Sequence, residues 1–268
     1  GPPPGEPVRT SSILASALLS LAPLASSAAD LFEIQVYDGS IDAPGHAGLE
    51  VHANYTARGT RVPEYPGQIA PDRVARVTLE PSYGVAEWLE LGLYLQGFYS
   101  PDGNVRYGGW KARAKLVVPE RLGLPVRLGM NLEVGRVPVS VEKDGWANEF
   151  RPFVGWTAGR LSLAVNPIFG YALTGPDRFR VDLEPAVKVS WKTDAGFAVG
   201  AEYYASLGFA NAVLPLREGE HLAFITLGLA ERPGAAASPW ELEVGFGAGL
   251  TEATPQRAVV KLILGRAF

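Results

Sequence analysis

Residues 89–96 read LELGLYLQ, so that Leu89, Leu91, Leu93 and Leu95 alternate with Glu90, Gly92, Tyr94 and Gln96. Side chains two apart share one face of a strand, which gives this octet an apolar face and a polar face. A helical period of 3.6 would scatter the four leucines around a cylinder. The same alternation recurs through the chain. Leu49, Val51, Ala53 and Tyr55 are interleaved with Glu50, His52, Asn54 and Thr56. Trp110, Ala112, Ala114 and Leu116 are interleaved with Lys111, Arg113 and Lys115. Val126 to Val134, Val181 to Val189 and Trp240 to Ala248 repeat the pattern. The alternation predicts about twelve strands, over 46–57, 74–84, 87–99, 106–118, 124–135, 147–157, 160–171, 179–191, 195–205, 221–230, 240–250 and 258–268.

An all-β chain can turn its apolar faces inward, as a soluble sandwich does, or outward, as a membrane barrel does. Three features favour the outward arrangement. The alternating segments run ten residues or more, long enough to cross a bilayer at a tilt and longer than most soluble strands. The polar faces carry full charges along their length. Aromatic residues of the apolar faces cluster near strand ends, where amphipathic rings prefer the two interfaces. With strands running alternately up and down, one girdle holds Tyr83, Trp156, Trp191, Phe197 and Trp240, and the other Tyr55, Trp110, Phe150, Phe169 and Tyr203. Long connections at 58–73, 136–146 and 206–220 fall at one end, and short ones at 85–86, 158–159 and 192–194 at the other, where 231–239 is a longer exception. That asymmetry is typical of bacterial barrels. The fold expected is a closed, antiparallel, up-and-down transmembrane β-barrel. Pro81, Pro152, Pro167 and Pro185 oppose it locally, because each removes a ladder hydrogen bond and demands a bulge or a rim position.

Composition agrees. The 268 residues are 47% hydrophobic and 19% charged, with a net charge of −4, which gives no basic surface for nucleic acid. Cysteine is absent and histidine occurs three times, which argues against a His/Cys metal centre; no metal or other cofactor is expected. Ahead of the barrel, Arg9 precedes an apolar run from Ile13 to Leu24 and then small residues, with Ser27 and Ala29 before a cleavage point. Residues 1–29 are therefore expected to be a signal peptide, cut near Ala29 on export through the periplasm to the outer membrane. Residues 30–45 form a segment that stays periplasmic or folds into the lumen, and 46–268 form the barrel.

The chain ends AVVKLILGRAF, with Val260, Leu262, Leu264 and Phe268 on one face. This resembles the C-terminal sorting signal of bacterial outer-membrane barrels, which the barrel assembly machinery reads. The stretches EIQVYDGSIDAPGHAGLEVHANYT (33–56) and LEPSYGVAEWLELGLYLQ (79–96) resemble a large set of uncharacterised proteobacterial outer-membrane proteins. That set is related to the family labelled as phenol-degradation outer-membrane transporters. The resemblance implies a barrel among outer-membrane lipids and passage of small, hydrophobic or aromatic solutes. It supplies no site.

Catalytic readings are poor. A barrel hydrolase needs a serine beside a histidine and an orienting acid. Neither His46, His52 nor His221 lies in a serine-containing motif, and an enzyme is not expected. The pairs Asp182/Glu184 and Glu241/Glu243 fit an ion-paired wall better than a glycosidase cleft. The lumen-lining residues expected are His52, Glu80, Glu90, Lys111, Arg113, Lys115, Arg127, Glu133, Arg151, Arg180, Glu184, Glu202, Glu241 and Glu243. Their charges either set up a transverse field in an open pore or pair directly and close it. Gly200, Gly228, Gly245, Gly247, Gly249 and Gly265 leave space along the last strands. Two functions follow: a passive channel for a small solute, or a plugged, non-conducting barrel with a structural or surface-binding role through loops 58–73 and 206–220.

Overall fold

A computed structural model describes residues 29–230 and 238–268. The signal-peptide expectation falls on residues 1–28, outside the described residues. No helix among the described residues is long and apolar enough to cross a membrane.

The strands are β1 (Ala47–Gly59), β2 (Val74–Ala86), β3 (Leu89–Tyr99), β4 (Val105–Val117), β5 (Arg127–Arg136), β6 (Trp146–Ala158), β7 (Leu161–Asn166), β8 (Phe169–Ala172), β9 (Val181–Leu183), β10 (Ala186–Lys192), β11 (Phe197–Ser206), β12 (Glu220–Leu229), β13 (Trp240–Gly249) and β14 (Gln256–Ala267). Each pairs antiparallel with its neighbours, and β1 pairs with β14, closing the sheet on itself. Strands β7 and β8 are two halves of one wall strand, as are β9 and β10, so twelve strands make the wall. Closure removes the unpaired edges that lipid would not tolerate.

The breaks occur at proline. Pro167 separates β7 from β8 and Pro185 separates β9 from β10. Pro152, inside β6, faces the first of these gaps: Phe150 pairs with Phe169 and Val154 with Val165, and nothing between them is laddered on that side. Pro81 stays within β2, where the ladder to β3 skips from Leu79 to Ser82. The prolines thus mark where the wall stops bonding to itself.

Polarity is inverted relative to a soluble fold. Leu79, Leu91, Leu95, Ile225 and Phe246 are exposed on the outside, whereas Glu80, Arg113, Glu202 and Lys261 are buried inside. All ten girdle residues stand on the outward face, Tyr83, Trp191 and Trp240 among the most exposed. The long connections, 60–73, 137–145 and 207–219, lie together at one end of the barrel, and the tight turns 87–88 and 159–160 at the other.

Candidate functional site: the lumen and the segment that fills it

Residues 29–45 run through the inside of the barrel without joining its sheet. This segment begins in the long-loop half, where the Asp30 carboxylate accepts a bond from Lys111 Nζ at 2.6 Å. It finishes at the tight-turn end, where Asp42 N–H donates to Glu90 and the Asp42 carboxylate accepts from Ser82 Oγ. There a turn through Pro44 and Gly45, the latter at φ +82°, feeds β1.

A strand buried away from water must satisfy its peptide groups. This strap does so with side chains of the wall rather than a ladder. Its carbonyls accept, in order, from Asn54 (Leu31 C=O, 3.0 Å), Thr78 (Phe32 C=O, 2.9 Å), Lys261 (Ile34 C=O, 3.0 Å), Arg151 (Gln35 C=O, 3.3 Å) and Asn166 (Tyr37 C=O, 2.7 Å). Asn166 also accepts from the Tyr37 N–H at 2.7 Å, so its amide mimics one rung of a sheet. It does this beside Pro167, at the level where the wall's ladder is open. The strap's own pattern alternates: Ile34 and Val36 pack with Ala164, Ala186, Tyr204, Leu222, Phe224 and Val259, and Phe32 with Val74 and Phe98. Glycines let it lie close to the wall. A Cβ at Gly155 would collide with the Asp38 carbonyl, and one at Gly84 with the carbonyl of Ala43.

Around the strap most of the lumen charges are paired. Glu80 accepts from Arg113 at 2.6 Å and contacts His52 at 2.9 Å, and Arg113 reaches Glu90 at 2.7 Å, with Lys115 at 3.5 Å from the same carboxylate. Lys111 bridges Asp30 and Glu133. Arg151 joins Glu149 and Glu33. Glu202 and Glu243 share Lys261 and Lys188. Tyr37 sits between two cations, Lys115 Nζ at 4.3 Å and Arg151 Cζ at 4.6 Å from its ring centre, and its hydroxyl meets Tyr94 and Glu33. Direct pairing therefore replaces the transverse field that opposed walls would set up.

Four of the expected lumen residues lie toward the ends. Arg127 and Glu241 stand at the tight-turn mouth, Arg127 near Glu120 and Asp38. Arg180 pairs with Asp177 at the long-loop mouth and stacks on Phe209, and Glu184 lies in the break between β9 and β10. Lys188, Lys261 and Asn166, which hold the strap or its anchors, were not singled out from sequence, although their inward parity was readable. Side chains fill the space beside two of the inward glycines, Lys261 against Gly245 and the Phe224 ring against Gly247, whereas Gly228 and Gly265 line the cavity at the tight-turn end.

Glu50, His52 and Glu80 offer three metal-ligand atoms within 4.8 Å of one another, but Glu80 is committed to Arg113 and to the His52 ring. His221 bonds Tyr203 and the Leu216 carbonyl at the rim. Among the described residues neither buried histidine is bonded to a serine hydroxyl.

Two cavities flank the strap. One of about 670 Å³ opens at the tight-turn end, lined among others by Asp38, Asp42, Glu50, Trp240 and Glu241. The other, about 640 Å³, opens among the long loops over Phe32, Ile69, Val74, Phe98 and Phe209. No residue lines both; Glu33 and Ile34 lie between them.

A closed antiparallel wall, apolar outside and charged inside, defines a transmembrane β-barrel of the outer-membrane type. Solved barrels of that class are similar in fold. The chain superposes on an outer membrane channel from Pseudomonas putida F1 with a TM-score of 0.57 at 12% identity, covering 88% of this chain and 100% of that one. It superposes on the KdgM porin, solved in complex with disordered oligogalacturonate, with a TM-score of 0.50 at 11% identity, covering 82% and 99%. No family model matches the sequence, and no curated protein matches it.

Proposed function

We propose that this protein is a bacterial outer-membrane channel for passive passage of small, hydrophobic or aromatic solutes, closed in the state described here by residues 29–45. The observation that carries the reading is the strap itself. It lies between two vestibules, outside the ladder, and is held by side chains that water could satisfy equally well if it left. The tight turns face the periplasm and the long loops the exterior, as in bacterial barrels generally. The substrate class is supported by the long-loop vestibule, whose floor is apolar and aromatic. The same filling of the lumen favours a second reading, a permanently plugged barrel that acts through loops 60–73 and 207–219. Among the described residues no serine hydroxyl is bonded to a buried histidine in support of a hydrolase.

Planar-bilayer recording separates the two. The full chain is expected to show small, intermittent conductance, and a variant lacking residues 30–43 a larger and steadier one. Background current from both, with the barrel still folded, would sink the channel reading in favour of the plugged one.

A further inference from the structure

Six lysine and arginine side chains are buried in the described lumen: Arg76, Lys111, Arg113, Lys115, Arg151 and Lys261. Five have a carboxylate within 4 Å. Arg76 has none. Its guanidinium, 8% exposed, donates from one terminal nitrogen to Thr56 Oγ1 at 3.1 Å and lies 5.9 Å from the centre of the Phe32 ring. A charge taken out of water with no carboxylate in contact is costly, and buried cations are paired almost without exception. Here the missing partner has a place: Arg76 lines the long-loop cavity, with Phe32, Val74, Phe98 and Ile69 around it.

We infer that Arg76 anchors the carboxylate of a small apolar monoacid in the long-loop vestibule, the hydrocarbon or aromatic body resting on Phe32 and Phe98. A guanidinium presents parallel donors that match the two oxygens of a carboxylate, and the low-dielectric floor strengthens that bond. The walls above limit the ligand to one negative charge, because Glu64 and Asp144 also line the cavity and would repel a second. Stacked rings supply the attraction for the uncharged body. The assignment deepens the solute reading above and relies on it for the ligand's route, whereas binding is measurable without passage.

The test is calorimetric titration of the folded full chain in detergent with benzoate, benzamide and benzylamine, which share a ring and differ in charge. Benzoate is expected to bind saturably and at least tenfold tighter than benzamide, with benzylamine weakest of the three. Arg76→Gln is expected to abolish the benzoate preference, and Arg76→Lys to keep part of it, since the charge remains and the fork is lost. Folding of each variant is checked by heat-dependent migration in gels. Equal affinity for benzoate and benzamide in the unmutated protein overturns the assignment even if no variant folds, as does a preference that survives Arg76→Gln. Arg76-dependent binding without conductance in any form of the protein would remove the passage reading and leave the anchor standing. Conductance without a benzoate preference would do the reverse.

Discussion

If the strap is a docked element with its own equilibrium, Asn166→Ala should loosen it by a calculable amount. Asn166 is fully buried and spends both ends of its amide on the Tyr37 N–H and C=O, each at 2.7 Å. Truncation orphans two buried peptide groups, at about 1–3 kcal/mol apiece. Water entering the vacated space recovers part of that cost, which leaves about 2–4 kcal/mol against the docked state. At about 1.4 kcal/mol per tenfold, the released population rises by roughly 30- to 700-fold. The chain contains no cysteine, so Val36→Cys places a single thiol on the strap at a position only 4% exposed. When opening and closing are fast relative to modification, the rate of labelling by a bulky maleimide reports the released fraction. Labelling should therefore accelerate by a factor in that range in Asn166→Ala, with the barrel's thermal transition little changed. A labelling rate within twofold of the parent, in a folded variant, would refute the idea that this amide holds the strap. Acceleration matched by an equal loss of barrel stability would refute its independence from the wall.

Other outcomes follow from the same contacts. Lys261→Met removes a fully buried ammonium 2.6 Å from Glu202 and 3.0 Å from Glu243, so urea denaturation should show a loss of about 3 kcal/mol, partly restored by adding Glu202→Gln. Gly155→Val forces a side chain into the Asp38 carbonyl; the overpacking cost of about 1–3 kcal/mol should fall on the strap and raise both Val36→Cys labelling and open probability. Burial lifts the Glu142 carboxyl, in loop 137–145, from 4.5 to about 7, so the folded loop holds a proton that the unfolded loop has released. The loop should therefore lose protection against hydrogen exchange as pH rises from about 4.5 to about 7, with no further change above, and Glu142→Gln should flatten that slope.

The wall was legible because its physics is local. A period of two, read on Leu89 to Gln96 and its repeats, determines which side chains share a face, and the length of each segment then decides between water and lipid. Strand breaks at Pro167 and Pro185 were visible as anomalies, yet their meaning was not. Only the folded barrel shows that the gap beside them lies level with Asn166 and receives Tyr37. The ion pairs were less accessible still. Lys261 on β14 bonds Glu202 on β11, and these strands are not neighbours in the wall. Alternation gives both residues an inward direction but says nothing about which charges meet across a lumen.

The strap left a trace that parity alone could have exposed. Tyr94, Phe98, Phe153, Leu222, Phe224 and Ile263 are bulky and apolar, yet they occupy the face that otherwise carries lysine, arginine and glutamate. In a water-filled pore such residues would cost hydrophobic exposure with no return. They make sense against a filled lumen: Phe32, Ile34 and Val36, at alternate positions just upstream of the first strand, pack with Phe98, Leu222 and Phe224, and Tyr37 meets Phe153 and Tyr94. The two kinds of inward residue then pull in opposite directions. Apolar contacts favour the occupied lumen, because releasing the strap wets Ile34, Val36 and the rings they touch. The polar donors are nearly indifferent, since Asn54, Thr78, Lys261, Arg151 and Asn166 can exchange strap carbonyls for water at little net cost. The wall's own ladder takes no part in the exchange. A barrel lined by polar groups alone would have no reason to close, and one lined by apolar groups alone could not open to water; the mixture is what allows a strap to be held and still be released.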